Sequence, residues 1–206
     1  MSLSAIRKKF DNRKKSDAVK SRVFIAINLP EPVVEKLGEA QKALKAYGLK
    51  TKWTRLENIH LTLKFLGDID KTVLIAVSEV VGAAAKGFGP IRLSAKGVGV
   101  FPGVKKARVL WTGIAGQTEL LAKLHETIDT GLSGIGFLPE KRRFTGHLTI
   151  GRFKDSPHPD KLIDIMKKFK DMESVSFVAD AVYIIKSELT PSGPIYTELA
   201  NVALAG

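Results

Sequence analysis

Apolar and polar positions follow two different periods along residues 22–206, and segments of the two periods alternate. Spacing by two, as in residues 59–66, is typical of strands, whereas spacing by three and four, as in residues 31–47, is typical of helices. Proline and glycine separate many of the segments. The pattern predicts strands at residues 22–29, 59–66, 91–101, 107–114, 144–153, 175–186 and 195–203, and helices at residues 31–47, 70–86, 117–132 and 159–169.

The predicted elements divide into two halves, about residues 22–103 and 104–206, which share the order strand, helix, strand, helix, strand. Each half carries a histidine in its middle strand, His60 in the first half and His147 in the second. Alternating elements recur in many unrelated folds, but the matched histidines favour an internal duplication. Two duplicated halves would meet about a pseudo-twofold axis, with their middle strands at a shared cleft.

Residues 1–21 stand apart from this pattern, because seven of them are Lys or Arg and two are Asp. Ile6 and Phe10 lie four residues apart, which allows a short amphipathic helix, but a loose tail fits the composition equally well. We predict a flexible, basic N-terminal extension, followed by a single bilobal domain at residues 22–206.

The candidate chemistry lies in two copies of one short motif, His60-Leu61-Thr62-Leu63 and His147-Leu148-Thr149-Ile150. Residues two apart in a strand point to the same face, so each motif offers a histidine and a threonine in front of an apolar back. Imidazole titrates near neutral pH, and a threonine hydroxyl can donate to a phosphate oxygen. Two such pairs across a cleft would hold a phosphate from both sides, with one imidazole as base and the other as acid.

Paired histidines also occur in zinc hydrolases, usually with further ligands at characteristic spacing. No Asp or Glu lies within two residues of His60 or His147, and neither a His-x-His nor a His-Glu-x-x-His run occurs. We therefore expect neither a metal nor another cofactor. His125 and His158 lack a threonine two residues on, and we interpret them as packing or surface residues.

The charge balance favours a polyanionic partner. The chain holds 33 Lys and Arg against 21 Asp and Glu, a net charge of +12, which suits RNA, DNA, phosphorylated ligands or an anionic membrane surface. The absence of cysteine excludes a disulfide scaffold and thiolate catalysis. No apolar run reaches the ~18 residues of a membrane-spanning helix, and no apolar N-terminal signal is evident. We predict a cytoplasmic protein with no membrane partner and no obligate protein partner.

From about residue 22 onwards the chain resembles the two-histidine phosphoesterase superfamily. Within it, the chain is most similar to the RNA 2′,3′-cyclic phosphodiesterases, also named 2′-5′ RNA ligases. The resemblance is carried, in the order of the family, by residues 23–30 (VFIAINLP), 57–67 (ENIHLTLKFLG), 99–102 (GVFP) and 146–152 (GHLTIGR).

This resemblance implies an α+β fold of two pseudo-symmetric lobes, each an antiparallel sheet with outer helices, around a central cleft. It implies that His60, Thr62, His147 and Thr149 surround the scissile phosphate. The arginine that the family carries five residues beyond the second histidine matches Arg152. Strict alternation would put Arg152 on the face opposite His147. Arg152 therefore needs a bulge, or a reach around the strand end, to contact the phosphate, and Gly151 makes such a bend feasible.

The resemblance also implies a reaction: hydrolysis of 2′,3′-cyclic phosphate ends of RNA, or of cyclic nucleotides, to 2′-phosphates. His147 would be the base and His60 the acid. Three alternatives remain: reversible 2′-5′ ligation at the same site, a cyclic phosphodiesterase for a small nucleotide metabolite, and an RNA-binding module with an idle site. Intact histidine and threonine in both motifs argue against the idle site, because binding alone requires neither imidazole.

Several residues near the motifs are candidates for RNA contacts. Basic side chains precede each motif, and an RNA backbone can follow them, although such runs are often only solvated surface. Aromatic side chains nearby offer stacking platforms for a base, although Phe24 fits the core better. The candidate contacts are Lys52, Arg55 and Arg143 for the backbone, the last with its neighbours Lys141 and Arg142, and Trp53 and Phe101 for a base.

Overall fold

The computed structural model of the protein describes residues 20–206, so nearly all of the predicted N-terminal extension lies outside the described residues. Among these residues, no helix is both long and apolar enough to cross a membrane. The strands are β1 (Ser21–Ile27), β2 (Thr51–Trp53), β3 (Leu61–Ile69), β4 (Ile91–Phe101), β5 (Val109–Gly116), β6 (His147–Phe153), β7 (Phe177–Ala179), β8 (Ala181–Thr190) and β9 (Gly193–Ala203). The helices are α1 (Glu31–Lys45), α2 (Lys71–Ala85), α3 (Thr118–Gly134) and α4 (Pro159–Lys168).

The described strands form one antiparallel sheet in the order β7-β4-β5-β6-β3-β1-β8-β9, with β2 paired to β6. The strands β3, which begins just after His60, and β6, which begins at His147, are neighbours at the centre of the sheet. The third long strand of each half pairs with the first strand of the other half, β4 with β5 and β8 with β1. Each lobe of the sheet therefore contains strands from both sequence halves.

The helices cover one face of the sheet because their apolar stripes fit its apolar side chains. In α1, Val33, Leu37 and Leu44 are fully buried, and they lie at the spacing of one helical face. In α2, the Asp70 carboxylate caps the first turn by accepting hydrogen bonds from the amides of Thr72 and Val73. The main core lies between these helices and the sheet.

A second, smaller apolar cluster lies on the opposite face of the sheet. Successive residues of a strand point to opposite faces, so Val23 and Ile25 enter the main core while Phe24 and Ala26 face away from it. Phe24 and Ala26 join Ile185 there, with the partly buried Tyr183 and Tyr196 packed against them. This face carries the candidate site described below, and we call it the cleft face.

Two predicted features of the chain differ in the structure. The single strand expected at residues 175–186 is two strands: β7 pairs with β4, whereas β8 lies between β1 and β9 in the other lobe. The break occurs at Asp180, within an otherwise continuous apolar stretch, so alternation alone does not reveal it. The three-residue strand β2 was not predicted, because three residues are too few to show a period.

A buried ion pair joins β3 to α3. The Lys64 ammonium contacts the Asp129 carboxylate, and the two side chains are only 10% and 13% exposed. Lys64 also donates to the carbonyl of Leu138 at 2.9 Å, and the Glu140 amide donates to Asp129 at 3.0 Å. Burial alone would raise the pKa of Asp129, but the hydrogen bonds from Lys64 and Glu140 hold it below its ordinary value.

Removing one member of this pair should cost far more stability than removing both. Lys64→Met leaves the Asp129 carboxylate buried without its counter-charge, so we expect the free energy of unfolding to fall by about 3–5 kcal/mol. Combining Lys64→Met with Asp129→Leu removes both charges and should restore most of that loss. Urea denaturation of the wild type and the two variants measures the difference.

The exposed pair Lys36–Glu39 provides the control, because its side chains are 44% and 67% exposed. Glu39→Ala should change stability by less than about 0.5 kcal/mol, since solvent screens such pairs. A loss in Lys64→Met no larger than the loss in Glu39→Ala would contradict the importance of the buried pair.

Candidate active site

The two His-x-Thr motifs lie side by side at the centre of the sheet. His60 immediately precedes β3, His147 opens β6, and Leu61 pairs with Leu148 between the two antiparallel strands. Both leucines are fully buried in the main core. The histidines and threonines flank these leucines and are only partly buried, so they lie on the cleft face.

Both imidazole rings are held in the same way. Nδ1 of His60 lies 3.0 Å from the carbonyl oxygen of Asn58, and Nδ1 of His147 lies 2.8 Å from the carbonyl oxygen of Thr145. A carbonyl oxygen only accepts, so each Nδ1 must carry a proton and donate it. In the neutral ring Nε2 then bears the lone pair and is the atom that exchanges protons. The duplication therefore extends to the tautomer of the two histidines.

The surroundings of the two rings differ. His60 is stacked on Phe24, with ring centroids 4.6 Å apart, and forms a T-shaped pair with Tyr196, with ring centroids 5.3 Å apart. Burial lowers the pKa of His60 to about 4, although the hydrogen bond to Asn58 opposes this shift. His147 instead meets the edge of Phe101, with ring centroids at 5.0 Å. His60 is therefore neutral at physiological pH.

A bulge in β6 brings Arg152 to the face of the second motif. Thr149 lies opposite Trp111 on β5 and Gly151 lies opposite Leu110, which leaves Ile150 without a partner in the ladder. This extra residue shifts the alternation by one position. On the regular strand β5, Val109, Trp111 and Gly113 share one face, and they pair with Arg152, Thr149 and His147 respectively. Of the two predicted routes for Arg152, the bulge is therefore present, and contact between Arg152 and a phosphate remains a prediction.

Gly151, the residue after the bulge, leaves space for the neighbouring strand β2. Its φ is not positive, so the position does not require the conformational freedom of glycine. A Cβ at Gly151 would lie 2.6 Å from Cγ2 of Thr51 in β2, which is too close for any side chain. We expected Gly151 to permit a bend, whereas the structure shows that it permits β2 to approach β6.

The first motif has a corresponding bulge. In β3, Thr62 lies opposite Ala26 and Lys64 opposite Ile25, so Leu63 is the extra residue. The position that corresponds to Arg152 is Phe65, which is 68% exposed and whose ring centroid is 5.9 Å from that of Phe24. Sequence analysis did not single out Phe65, although it stands at the same distance from its histidine as Arg152 does.

Trp111 is a second residue of the cleft that sequence analysis missed. It lies opposite Thr149, and its ring centroid is 5.0 Å from that of Phe101 and 6.4 Å from that of His147. The ring lies against Gly99 of β4, where a Cβ would be 2.2 Å from it. Alternation along β5 is enough to place Trp111 on one face of the strand, but it does not predict which strands pair with β5.

The structure brings some of the predicted RNA contacts to the cleft face and not others. Lys52 lies directly opposite Arg152 in the β2–β6 pair, and both side chains are exposed. The next residue, Trp53, points to the opposite face, where it packs against the core with the Lys45 ammonium 5.7 Å from its ring. Phe101 lies beside His147 in the cleft.

The other two basic candidates lie in the segments that lead into the motifs. Arg55 donates a hydrogen bond of 3.1 Å to the carbonyl of Ser192 in the β8–β9 turn. Arg143 is exposed in the irregular segment before β6. Contact of either side chain with RNA stays a prediction.

An open pocket of about 370 Å³ adjoins His60 on the side of β8 and β9. Its polar lining comes from Asn28, Glu57, Tyr196 and Glu198. Burial raises the pKa of Tyr196, and the positive charges of Arg152 and Arg22 oppose this shift.

Within residues 20–206, no group of three or more His, Asp or Glu side chains is placed to hold a metal ion. His125 is buried and stacks on Phe144 with ring centroids 4.2 Å apart, and burial lowers its pKa. His158 is exposed and lies 3.5 Å from Asp160. The interpretation of these two histidines as packing and surface residues is confirmed.

The family model of LigT-like phosphoesterases matches residues 27–111 and 114–196. An RNA 2′,3′-cyclic phosphodiesterase of Methanothermobacter thermautotrophicus is 35% identical over 181 residues, which cover 88% of this chain and 97% of that protein. An RNA 2′,3′-cyclic phosphodiesterase of Methanocaldococcus jannaschii is 37% identical over 175 residues, which cover 85% of this chain and 96% of that protein.

Solved structures share the fold. The structure of TT0787 from Thermus thermophilus matches with a TM-score of 0.73 at 26% identity, covering 89% of this chain and 97% of that chain. The structure of E. coli LigT complexed with 3′-AMP matches with a TM-score of 0.71 at 20% identity, covering 91% of this chain and 99% of that chain. The predicted α+β fold with two antiparallel lobes is confirmed.

The fold and the paired motifs at its centre define a phosphoesterase of the two-histidine class. The family model covers most of the described chain, and relatives above 30% identity align over nearly their full length. The chain belongs to the LigT-like phosphoesterase family.

The lowered pKa of His60 predicts a change of stability with pH. In the unfolded chain His60 takes up a proton below a pKa of 6.5, whereas in the folded protein it does so only near pH 4. The unfolded state therefore binds more protons between these values, so stability rises with pH across the window and is fully present above pH 6.5. The contribution is at most about 3 kcal/mol.

Chemical denaturation at several pH values across this window measures the effect. His60→Gln removes the titrating group and should flatten the rise, while the contribution of His125, whose pKa is shifted in the same direction, persists in both proteins. Parallel stability curves for the wild type and His60→Gln would show that His60 is not held neutral by the fold.

Proposed function

We propose that the protein is an RNA 2′,3′-cyclic phosphodiesterase that opens 2′,3′-cyclic phosphate ends to 2′-phosphates without a metal. The observation that carries the proposal is the pair of His-x-Thr motifs on adjacent central strands, with both imidazoles held through Nδ1 so that both Nε2 atoms are available. Membership of a phosphoesterase family and the names of its relatives support the same reaction.

In the proposed reaction the cyclic phosphate lies between the two imidazoles. One neutral Nε2 removes a proton from water, whose oxygen forms a bond to phosphorus. The bond from phosphorus to O3′ breaks on the opposite side, and the other imidazole delivers a proton to O3′ from its Nε2. Thr62 and Thr149 donate hydrogen bonds to the non-bridging oxygens, and the Arg152 guanidinium stabilises their growing negative charge.

The proposed roles are His147 as base and His60 as acid. Burial favours the neutral form of His60, so an acid role requires that the substrate raise its pKa. A cyclic phosphate carries one negative charge, and an anion beside an imidazole favours the protonated ring. Under this proposal His60 becomes protonated together with substrate binding.

The charges near Arg152 favour a substrate that carries a second phosphate group. Lys52 and Arg152 face each other across β2 and β6, and neither has a carboxylate partner within residues 20–206. Like charges in direct opposition destabilise a strand pair. A second phosphate of an RNA chain near Lys52, beyond the one that is cleaved, would offset this repulsion.

The other predictions about partners and location stay proposals. Reversible 2′-5′ ligation stays an alternative, because it would use the same groups with the 5′-hydroxyl of a second RNA end in place of water as the nucleophile. The structure of E. coli LigT with 3′-AMP supports a nucleotide as the occupant of a cleft of this fold. A cytoplasmic location remains a prediction from the cysteine-free composition.

Loss of either histidine should abolish most of the activity. Replacing His60 or His147 by alanine removes one of two proton-transfer groups, and we expect kcat to fall by about 10²–10⁴-fold. The assay follows the conversion of nucleoside 2′,3′-cyclic monophosphates, with the products separated by chromatography.

The exposed histidine variant His158→Ala is the matched control and should keep wild-type activity. All assays contain EDTA, because the proposed reaction uses no metal. Wild-type turnover in both His60→Ala and His147→Ala, or loss of wild-type activity in EDTA with recovery on adding zinc or manganese, would overturn the proposed mechanism.

A substrate with a good leaving group separates the roles of acid and base. A nitrophenyl phosphodiester needs no protonation of its leaving group, so loss of the acid should affect its hydrolysis far less than that of the cyclic phosphate. We expect His60→Ala to recover much of its rate on the nitrophenyl ester, and His147→Ala to stay slow on both substrates. Recovery by His147→Ala instead would reverse the assignment, and recovery by neither would reject separate roles.

A further inference from the structure

One buried amide in α1 contacts the strand that carries the second motif. Gln41 is only 4% exposed, within a helix face that is otherwise apolar. Its Nε2 donates hydrogen bonds to the carbonyl oxygens of Ile150 and Thr54, both at 2.8 Å. Both partners only accept, so they determine which end of the amide faces them. A buried amide is costly without such bonds, so this contact defines the position of Gln41.

The two carbonyls that Gln41 binds mark the point where β6 changes its partner strand. Before this point β6 pairs with β3 at Leu148, and after it β6 pairs with β2 from Gly151 onwards. Ile150 is the extra residue of the bulge, and Thr54 is the first residue after β2. The amide of Thr54 also donates to the carbonyl of Ile150, at 3.1 Å. Gln41 therefore links the bulge to the end of β2.

We propose that Gln41 is a positioning residue that fixes the bulge and thereby keeps Arg152 on the cleft face beside His147. A bulged residue leaves its carbonyl outside the regular ladder, so the local geometry depends on the donors that replace the ladder. In β6 those donors are the side chain of Gln41 and the amide of Thr54. Gln41 does not touch the cleft itself, and it acts through the backbone of Ile150.

The direction of Arg152 depends on this bulge in a definite way. Without the extra residue, regular alternation places position 152 on the face of Leu148, which is the main core. With it, Arg152 is exposed and Phe153 is buried in the core instead. Relaxation of the bulge would therefore move the guanidinium relative to the phosphate by changing the backbone, with no change in the catalytic residues themselves.

The test is a double-mutant cycle between Gln41 and Arg152. Gln41→Met keeps the length and volume of the side chain but removes both hydrogen bonds. We expect it to lower kcat/KM for a nucleoside 2′,3′-cyclic phosphate by about tenfold. In the Arg152→Ala background the same substitution should change kcat/KM by less than about twofold, because the group that it positions is absent.

Ser174→Ala is the matched control. Ser174 is also buried, and its hydroxyl accepts a hydrogen bond of 2.9 Å from the amide of Ala95, outside the candidate site. It should lose stability without losing activity. Equal losses from Gln41→Met in both backgrounds, or no loss in either, would overturn the proposal. Gln41→Leu, which also lacks the donor and suits the apolar neighbours of Gln41, repeats the cycle if Gln41→Met does not fold.

The inference rests on the proposed contact between Arg152 and a phosphate, and a binding measurement separates the two. Titration calorimetry with inorganic phosphate reports on the cleft without any turnover. Weaker binding in Gln41→Met and in Arg152→Ala, with no further loss in the double variant, supports the positioning role even if cyclic phosphates are not hydrolysed. Wild-type phosphate affinity in Gln41→Met together with weaker binding in Arg152→Ala contradicts it.

Discussion

The geometry of the site depends on the contact between β3 and β6 at the centre of the sheet. This contact is short, with a single paired position at Leu61 and Leu148. It nevertheless sets the separation and the antiparallel direction of the two motifs. A contact of one pair cannot hold two lobes by itself, so the rest of the fold must restrain it. The exchange of β4 and β8 between the halves provides the first restraint, because each lobe then contains strands from both halves.

The helices provide the second restraint, because a helix of each half contacts a strand of the other half. Gln41 in the first helix of the first half binds the bulge of β6, which belongs to the second half. Asp129 in the first helix of the second half binds Lys64, the residue after the bulge of β3, which belongs to the first half. The first contact is made by a neutral amide that donates to backbone carbonyls, and the second is an ion pair. Helix–strand contacts at similar places in the two halves therefore use different chemistry.

Sequence reasoning predicted the features that local patterns carry. Alternation predicted most of the elements and the shared face of each motif. Combined with the role that the family resemblance implies for Arg152, it called for a bulge or a reach around the strand end, and the structure contains a bulge at Ile150. The features that it missed depend on distant partners. In the sequence Gln41 is an ordinary helix residue, and its role depends on Ile150, 109 positions away, which accepts its hydrogen bond. Trp53 looks like a stacking platform until its pairing with Gly151 turns the ring towards the core. No local period encodes such contacts, because they depend on which strands become neighbours.

The differences between the two halves also make the two sides of the cleft chemically different. The equivalent positions five residues beyond the histidines are Phe65 in one lobe and Arg152 in the other. Burial beside Phe24 and Tyr196 lowers the pKa of His60, whereas Lys52 and Arg152 place positive charge in the lobe of His147. Aromatic rings lie beside both histidines, since Phe101 and Trp111 are near His147, so the positive charge is what distinguishes the two sides. Under the proposed function the phosphates of a nucleotide therefore fit the side of Arg152. Two motifs of the same sequence pattern then serve different roles because their neighbours differ.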